Sequence, residues 1–132
     1  MSEDQTGGCL CGAVTIKVRG KLGPVSYCHC SQCRRQTGLY YATADAALSE
    51  VEISGREKIG AYRASPDAER AFCRDCGSAL YWKADGEARI SLMAGLFPNP
   101  TALEGGYHIY CADKGDFYDI EDGLPQYAAS RS

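Results

Sequence analysis

The stretch SYCHCSQCRRQTG (residues 26–38) places three cysteines and a histidine within six positions, Cys28 to Cys33. Its first half reads as extended chain, in which residues two apart share a face. Cys28 and Cys30 then point together and His29 turns to the opposite side. Its second half reads as one short helix over about Ser31 to Thr37, stopped by Gly38 as a C-cap. Cys33 returns one turn into that helix, so three thiols converge on one point. Working outward from this knot decides the rest, because the remaining elements are short.

AVTIKV (residues 13–18) alternates apolar and polar residues, and ARISLMAGLF (residues 88–97) has a similar, more apolar character. Gly and Pro recur between such runs at close spacing. The expectation is an all-β domain with a single short helix after the Cys28–Cys33 motif. PTALEGG (residues 100–106) is expected to add a turn, and the tail GLPQYAASRS (residues 123–132) to be irregular with frayed last residues.

At 132 residues and 45% hydrophobic, the chain has the size of one domain, residues 1–132 with a core over about 6–128. No apolar run approaches the roughly 20 residues that span a bilayer, and the first residues lack the basic and apolar regions of a signal peptide. A cytoplasmic location and no membrane partner are expected. The formal charge of −3 falls further if the cysteines ionise, and the acidic chain lacks the basic footprint of a nucleic-acid binder. Nothing here bears on oligomeric state.

A reducing compartment makes clustered cysteines metal ligands rather than disulfides. Of eight cysteines, seven fall into tight groups. Cys9 and Cys11 form C-x-C, expected on an extended strand, and Cys73 and Cys76 form C-x-x-C. Two such pairs complete the closed tetrahedral shell of a structural zinc site. Cys28, Cys30 and Cys33 supply only three thiolates, which leaves a second zinc ion an open position of the catalytic kind. The competing reading closes that shell with His29 or His108. Spacing alone also permits Cys73 and Cys76 to join the triple group. Cys111 stands apart and reads as a small buried residue. Arg34 and Arg35, just past the last cysteine, are candidates for pairing a substrate carboxylate, with His108 as a further substrate contact. Tyr40 and Tyr41 line the same cleft or belong to the core.

Taken together, GGCLCGAV, SYCHCSQCRRQTG, FCRDCGSALY and GYHIYCADKGDFYDIEDGLPQY resemble the glutathione-dependent formaldehyde-activating enzyme family, which includes the domain of centromere protein V. The resemblance covers nearly the whole chain. It implies a tent of packed antiparallel sheets, one zinc on Cys9, Cys11, Cys73 and Cys76, and a second on Cys28, Cys30 and Cys33. It also implies an activity: condensation of formaldehyde with glutathione to S-hydroxymethylglutathione, which is a carbon–sulfur lyase reaction run in reverse. A zinc ion with an open position lowers the pKa of a bound thiol, which fits a small thiol as partner. The alternative is a non-catalytic, zinc-stabilised binding module.

Overall fold

The computed structural model describes residues 4–131. Ten strands and one helix follow in the order β1 (Gln5–Gly8), β2 (Thr15–Val18), β3 (Val25–Cys28), α1 (Ser31–Thr37), β4 (Tyr41–Ala47), β5 (Val51–Ser54), β6 (Ile59–Ser65), β7 (Ala68–Cys73), β8 (Ala79–Ala84), β9 (Arg89–Met93) and β10 (Gly105–Ile109). They make a three-stranded sheet, β1-β2-β5, and a seven-stranded sheet, β10-β3-β4-β9-β8-β7-β6. The fold is all-β as expected. No helix among the described residues is long and apolar enough to cross a membrane.

Strand alternation sorts the large sheet into two faces. Ala44, Ala46, Ile90, Leu92 and Ala71 point inward and pack on Val14, Ile16 and Val18 from the small sheet. The small alanines of β4 let the two layers approach closely, while Ile16 and Val18 supply the apolar bulk. The opposite face carries Ser26, Cys28, Tyr41, Thr43, Ser91, Trp82 and Arg70, all of which line a cleft. Cross-strand register aligns them in rows: Cys28 faces Tyr41, Ser26 faces Thr43, and Ser91 links Asp45 to Trp82.

Three details differ from the sequence reading. The sheets are antiparallel except at β10, which pairs with β3 in parallel. Ala88 to Phe97 holds a strand only over Arg89–Met93, after which Ala94–Leu96 close into a 3-10 turn. PTALEGG adds no helical turn, because Gly105 and Gly106 already belong to β10.

The tail is irregular but docked. Tyr110 N–H donates to Ala129 O at 2.9 Å and Cys111 N–H to Tyr127 O at 3.0 Å. The Arg131 guanidinium lies over the Tyr107 ring at 4.6 Å, so the described end of the tail is not frayed.

Gly55 shows how tightly the chain packs at the end of the small sheet, where it leaves β5 beside the approach to β2. Its φ is 82°, and a Cβ there would lie 1.9 Å from the Ala13 carbonyl oxygen, a backbone atom that cannot step aside. Gly55→Ala is therefore expected to cost on the order of 3 kcal/mol. A urea midpoint unchanged from the parent chain would contradict this packing.

Candidate metal centres and cleft

The first cluster forms where β1 ends and β7 turns back. Cys9 and Cys11 do not lie on an extended strand, as their spacing suggested. They sit in the turn between β1 and β2, closed by Gly12 N–H on Cys9 O at 3.1 Å, with Gly12 at φ 80°. The left-handed glycine folds the chain back and brings the two sulfurs to one side. Cys73 ends β7, and Gly77 N–H on Cys73 O at 2.8 Å closes the turn that returns Cys76.

The four sulfurs all lie within 4.8 Å of one another. Cys9 and Cys11 are 3.7 Å apart, and Cys11 and Cys73 are 3.8 Å apart. A tetrahedral ion with metal–sulfur bonds of about 2.3 Å requires sulfur–sulfur edges of about 3.8 Å, so the donor set fits zinc in both chemistry and span. Val14 N–H donates to Cys9 Sγ at 3.3 Å, and the Ser78 hydroxyl is 3.2 Å from Cys76 Sγ. Both favour the thiolate form. Cys73 and Cys9 belong to the apolar core, which places this cluster between the sheets.

The second cluster lies on the other face of the large sheet. Cys28 ends β3, Cys30 caps α1 in extended conformation, and Cys33 lies buried in the first turn. Cys33 N–H donates to Cys30 Sγ at 3.3 Å. Gly38, at φ 89°, stops the helix by donating its N–H to Arg34 O at 2.8 Å, as the sequence indicated. The three sulfurs lie within 4.8 Å of one another, and among the described residues no fourth Cys, His, Asp or Glu completes the group. Hydrogen bonds from Cys28 and then Cys33 hold Cys30 down to about 2, while the contact with Cys30 raises Cys28. Cys33 is raised as well, and the three converging sulfurs could hold a divalent ion with room for one more ligand.

His29 faces away from these sulfurs. The Tyr118 hydroxyl donates to His29 Nδ1, His29 Nε2 donates to His108 Nδ1 at 2.8 Å, and His108 Nε2 donates to Asp122 Oδ2 at 2.8 Å. The terminal carboxylate, which can only accept, sets the direction of the whole chain. Burial holds His29 down to about 4, reinforced by His108 and then Lys114, so its imidazole is neutral. His29 N–H also donates to Ile109 O at 3.0 Å. Three separate parts of the sequence thus brace the link between Cys28 and Cys30.

The cleft above the second cluster has a volume of about 540 Å³. Besides the three cysteines, its walls include Tyr41, Trp82, Tyr107, Asp113 and Arg70. The other sequence candidates lie at different distances from it. His108 is buried with both ring nitrogens engaged, beneath the floor. Arg34 holds the Asp113 carbonyl at 3.1 Å, and Arg35 lines a neighbouring depression beyond α1. Tyr40 packs against Tyr27, His29 and Tyr118, whereas Tyr41 lines the cleft. Cys111 is half-buried and outside both clusters.

Arg70 is the residue that the sequence reading missed. It donates to Cys33 Sγ at 3.4 Å from the middle of β7. The available signal was a lone arginine in AERAFC, on the strand face opposite Cys73.

Comparison with known proteins agrees with these features. Residues 4–113 match the family described as glutathione-dependent formaldehyde-activating enzyme. An uncharacterized lyase of Schizosaccharomyces pombe is 32% identical over 115 residues, which cover 86% of this chain and 83% of the relative. A protein of Halomonas elongata, provisionally named a glutathione-dependent formaldehyde-activating enzyme, is 29% identical over 128 residues, covering 87% of this chain and 80% of the relative. A crystal structure of a Rhodobacter sphaeroides protein shares the fold, with a TM-score of 0.61 at 23% identity over 92% of this chain and 98% of that one. With its cysteine groups in these positions and most of its length matched, the chain belongs to the glutathione-dependent formaldehyde-activating enzyme family.

Proposed function

We propose that the chain is a zinc-dependent enzyme of the carbon–sulfur lyase type, in which Cys28, Cys30 and Cys33 hold the catalytic ion and Cys9, Cys11, Cys73 and Cys76 a structural one. The substrate pair is a small thiol, with glutathione the leading candidate, and an aldehyde such as formaldehyde. The observation that carries this reading is the contrast between the clusters: four sulfurs that make a full set of ligands anchored in the core by Cys9 and Cys73, and three sulfurs that line a cleft.

When bound, zinc supplies a Lewis-acidic position at which a thiol ionises near neutral pH. The chain's own residues do the rest. A thiol held there would release its proton to solvent, its sulfur would form a bond to the carbonyl carbon as the carbonyl π pair moves to oxygen, and that oxygen would take a proton back from solvent, so that S–H adds across C=O with no net change in protons. Trp82, Tyr107 and Tyr41 give the cleft apolar walls that narrow the approach of the aldehyde. Arg34, which holds the carbonyl of the cleft residue Asp113, pairs a carboxylate of the thiol substrate, whereas Arg35 opens on the neighbouring depression. The Tyr118–His29–His108–Asp122 chain holds the backbone between two of the ligands, so His108 acts as a positioning residue rather than a substrate contact.

Cobalt substitution tests this directly, because thiolate-to-cobalt absorption reports each added sulfur. Titration with glutathione, cysteine and 2-mercaptoethanol is expected to give saturable new absorption, and the bound thiol should consume added formaldehyde. An unchanged tetrahedral spectrum with every thiol would mean a closed shell and favour the non-catalytic binding module.

A further inference from the structure

Arg70 has no evident place in the reaction as proposed, yet it is among the least accessible charged groups of the molecule, at 6% relative exposure. A buried guanidinium is costly unless an anion or a full set of acceptors compensates it. Its contacts are Gln32 Oε1 at 3.3 and 3.4 Å, Gln36 Oε1 at 3.0 Å, Cys33 Sγ at 3.4 Å, and the face of Tyr41 with the guanidinium carbon 4.9 Å from the ring centroid. Gln32 and Gln36, one helical turn apart on α1, grip the fork and fix its aim. None of these partners is a carboxylate, and no Asp or Glu forms an ion pair with Arg70 among the described residues. The negative charge that balances it comes from the sulfur cluster.

Tyr41 points to the same place. It is 3% exposed, sits across the sheet from Cys28, and its hydroxyl is the buried side-chain polar atom left without a hydrogen-bond partner among the described residues. A donor this deep is normally satisfied, so an acceptor is missing beside the cluster.

We propose that Arg70 is the specificity-determining residue of this site, making the position beside Cys28, Cys30 and Cys33 select an anionic ligand over a neutral one, with the Tyr41 hydroxyl as a supporting donor. The inference rests on the reading that the three thiolates hold a divalent ion. Three thiolates outweigh such an ion by one negative charge, which would repel an arriving thiolate. Arg70 returns the assembly to neutrality, and a fourth thiolate then meets a neutral site instead of an anionic one.

The test uses cobalt-loaded full-length protein and three probes: 2-mercaptoethanol and azide, which bind as anions, and imidazole, which binds neutral. Affinities are read from the visible spectrum for the wild type, Arg70→Gln and Arg70→Lys. Arg70→Gln is expected to weaken both anions on the order of tenfold or more while imidazole stays within about twofold. Arg70→Lys, which keeps the charge and loses the fork, should retain most of the anion affinity. A merely structural role for Arg70 would weaken all three probes together, and that result overturns the proposal. So does a wild type, or a folded Arg70→Lys, that binds imidazole but neither anion, even though the open metal position would then stand. A wild type that takes up cobalt only at the four-cysteine cluster would instead remove the reading on which the proposal rests.

Discussion

Cys73→Ala is expected to leave the chain unfolded or collapsed at room temperature. Cys73 is fully buried in the core, and its sulfur lies 3.8 Å from that of Cys11, so the substitution opens a cavity and breaks a four-sulfur shell at once. Structural zinc contributes on the order of 10 kcal/mol to folding in small metal-binding peptides, comparable to the whole stability of a domain this size. The cavity alone would cost far less. Circular dichroism on heating, with metal content measured in parallel, checks this. A variant that keeps a cooperative transition within a few degrees of the wild type would show that the cluster does not hold the fold, whatever metal it carried.

Cys28→Ala should give the opposite phenotype. Cys28 is half-buried at the end of β3 and lines the cleft, so its loss would remove one of the three proposed ligands without emptying the core. The expected result is a folded protein that retains the ion at Cys9, Cys11, Cys73 and Cys76, lacks the second, and loses thiol-dependent formaldehyde consumption by more than about a hundredfold. Metal analysis and a melting curve on the same preparation separate the effects. If activity survived at even a tenth of the wild-type level, the catalytic ion would have to sit elsewhere.

How much of this was legible in the sequence follows from how local each signal is. The α1 helix over Ser31–Thr37 and its Gly38 stop were readable because such a stop depends on neighbouring residues alone, whereas the Cys30 cap was not foreseen. The division of cysteines into a set of four and a set of three was legible only through the family resemblance, since spacing alone also let Cys73 and Cys76 join Cys28, Cys30 and Cys33. The bend that joins Cys9 to Cys11 was not. C-x-C fits an extended strand equally well, and only the positive φ of Gly12 selects the turn. Arg70, Gln32 and Gln36 meet across more than thirty residues, and no local pattern pairs them. The same holds for His29, His108 and Asp122. Strand direction was equally hidden: β10 reads as a strand, but its parallel pairing with β3 is set by the path of the intervening chain.

The two sheets share no hydrogen-bonded strand. In mechanical terms they are plates with an apolar film between them, and such a film resists separation far better than it resists sliding, because hydrophobic contact is non-directional. Coordination bonds have direction. An ion held by Cys9 and Cys11 at the end of one plate and by Cys73 and Cys76 at the end of the other would act as a rivet against shear. The cleft on the far face, lined by strands of the larger plate, α1 and the segment after β10, would thereby be spared the distortion that slippage between the layers would otherwise pass to it.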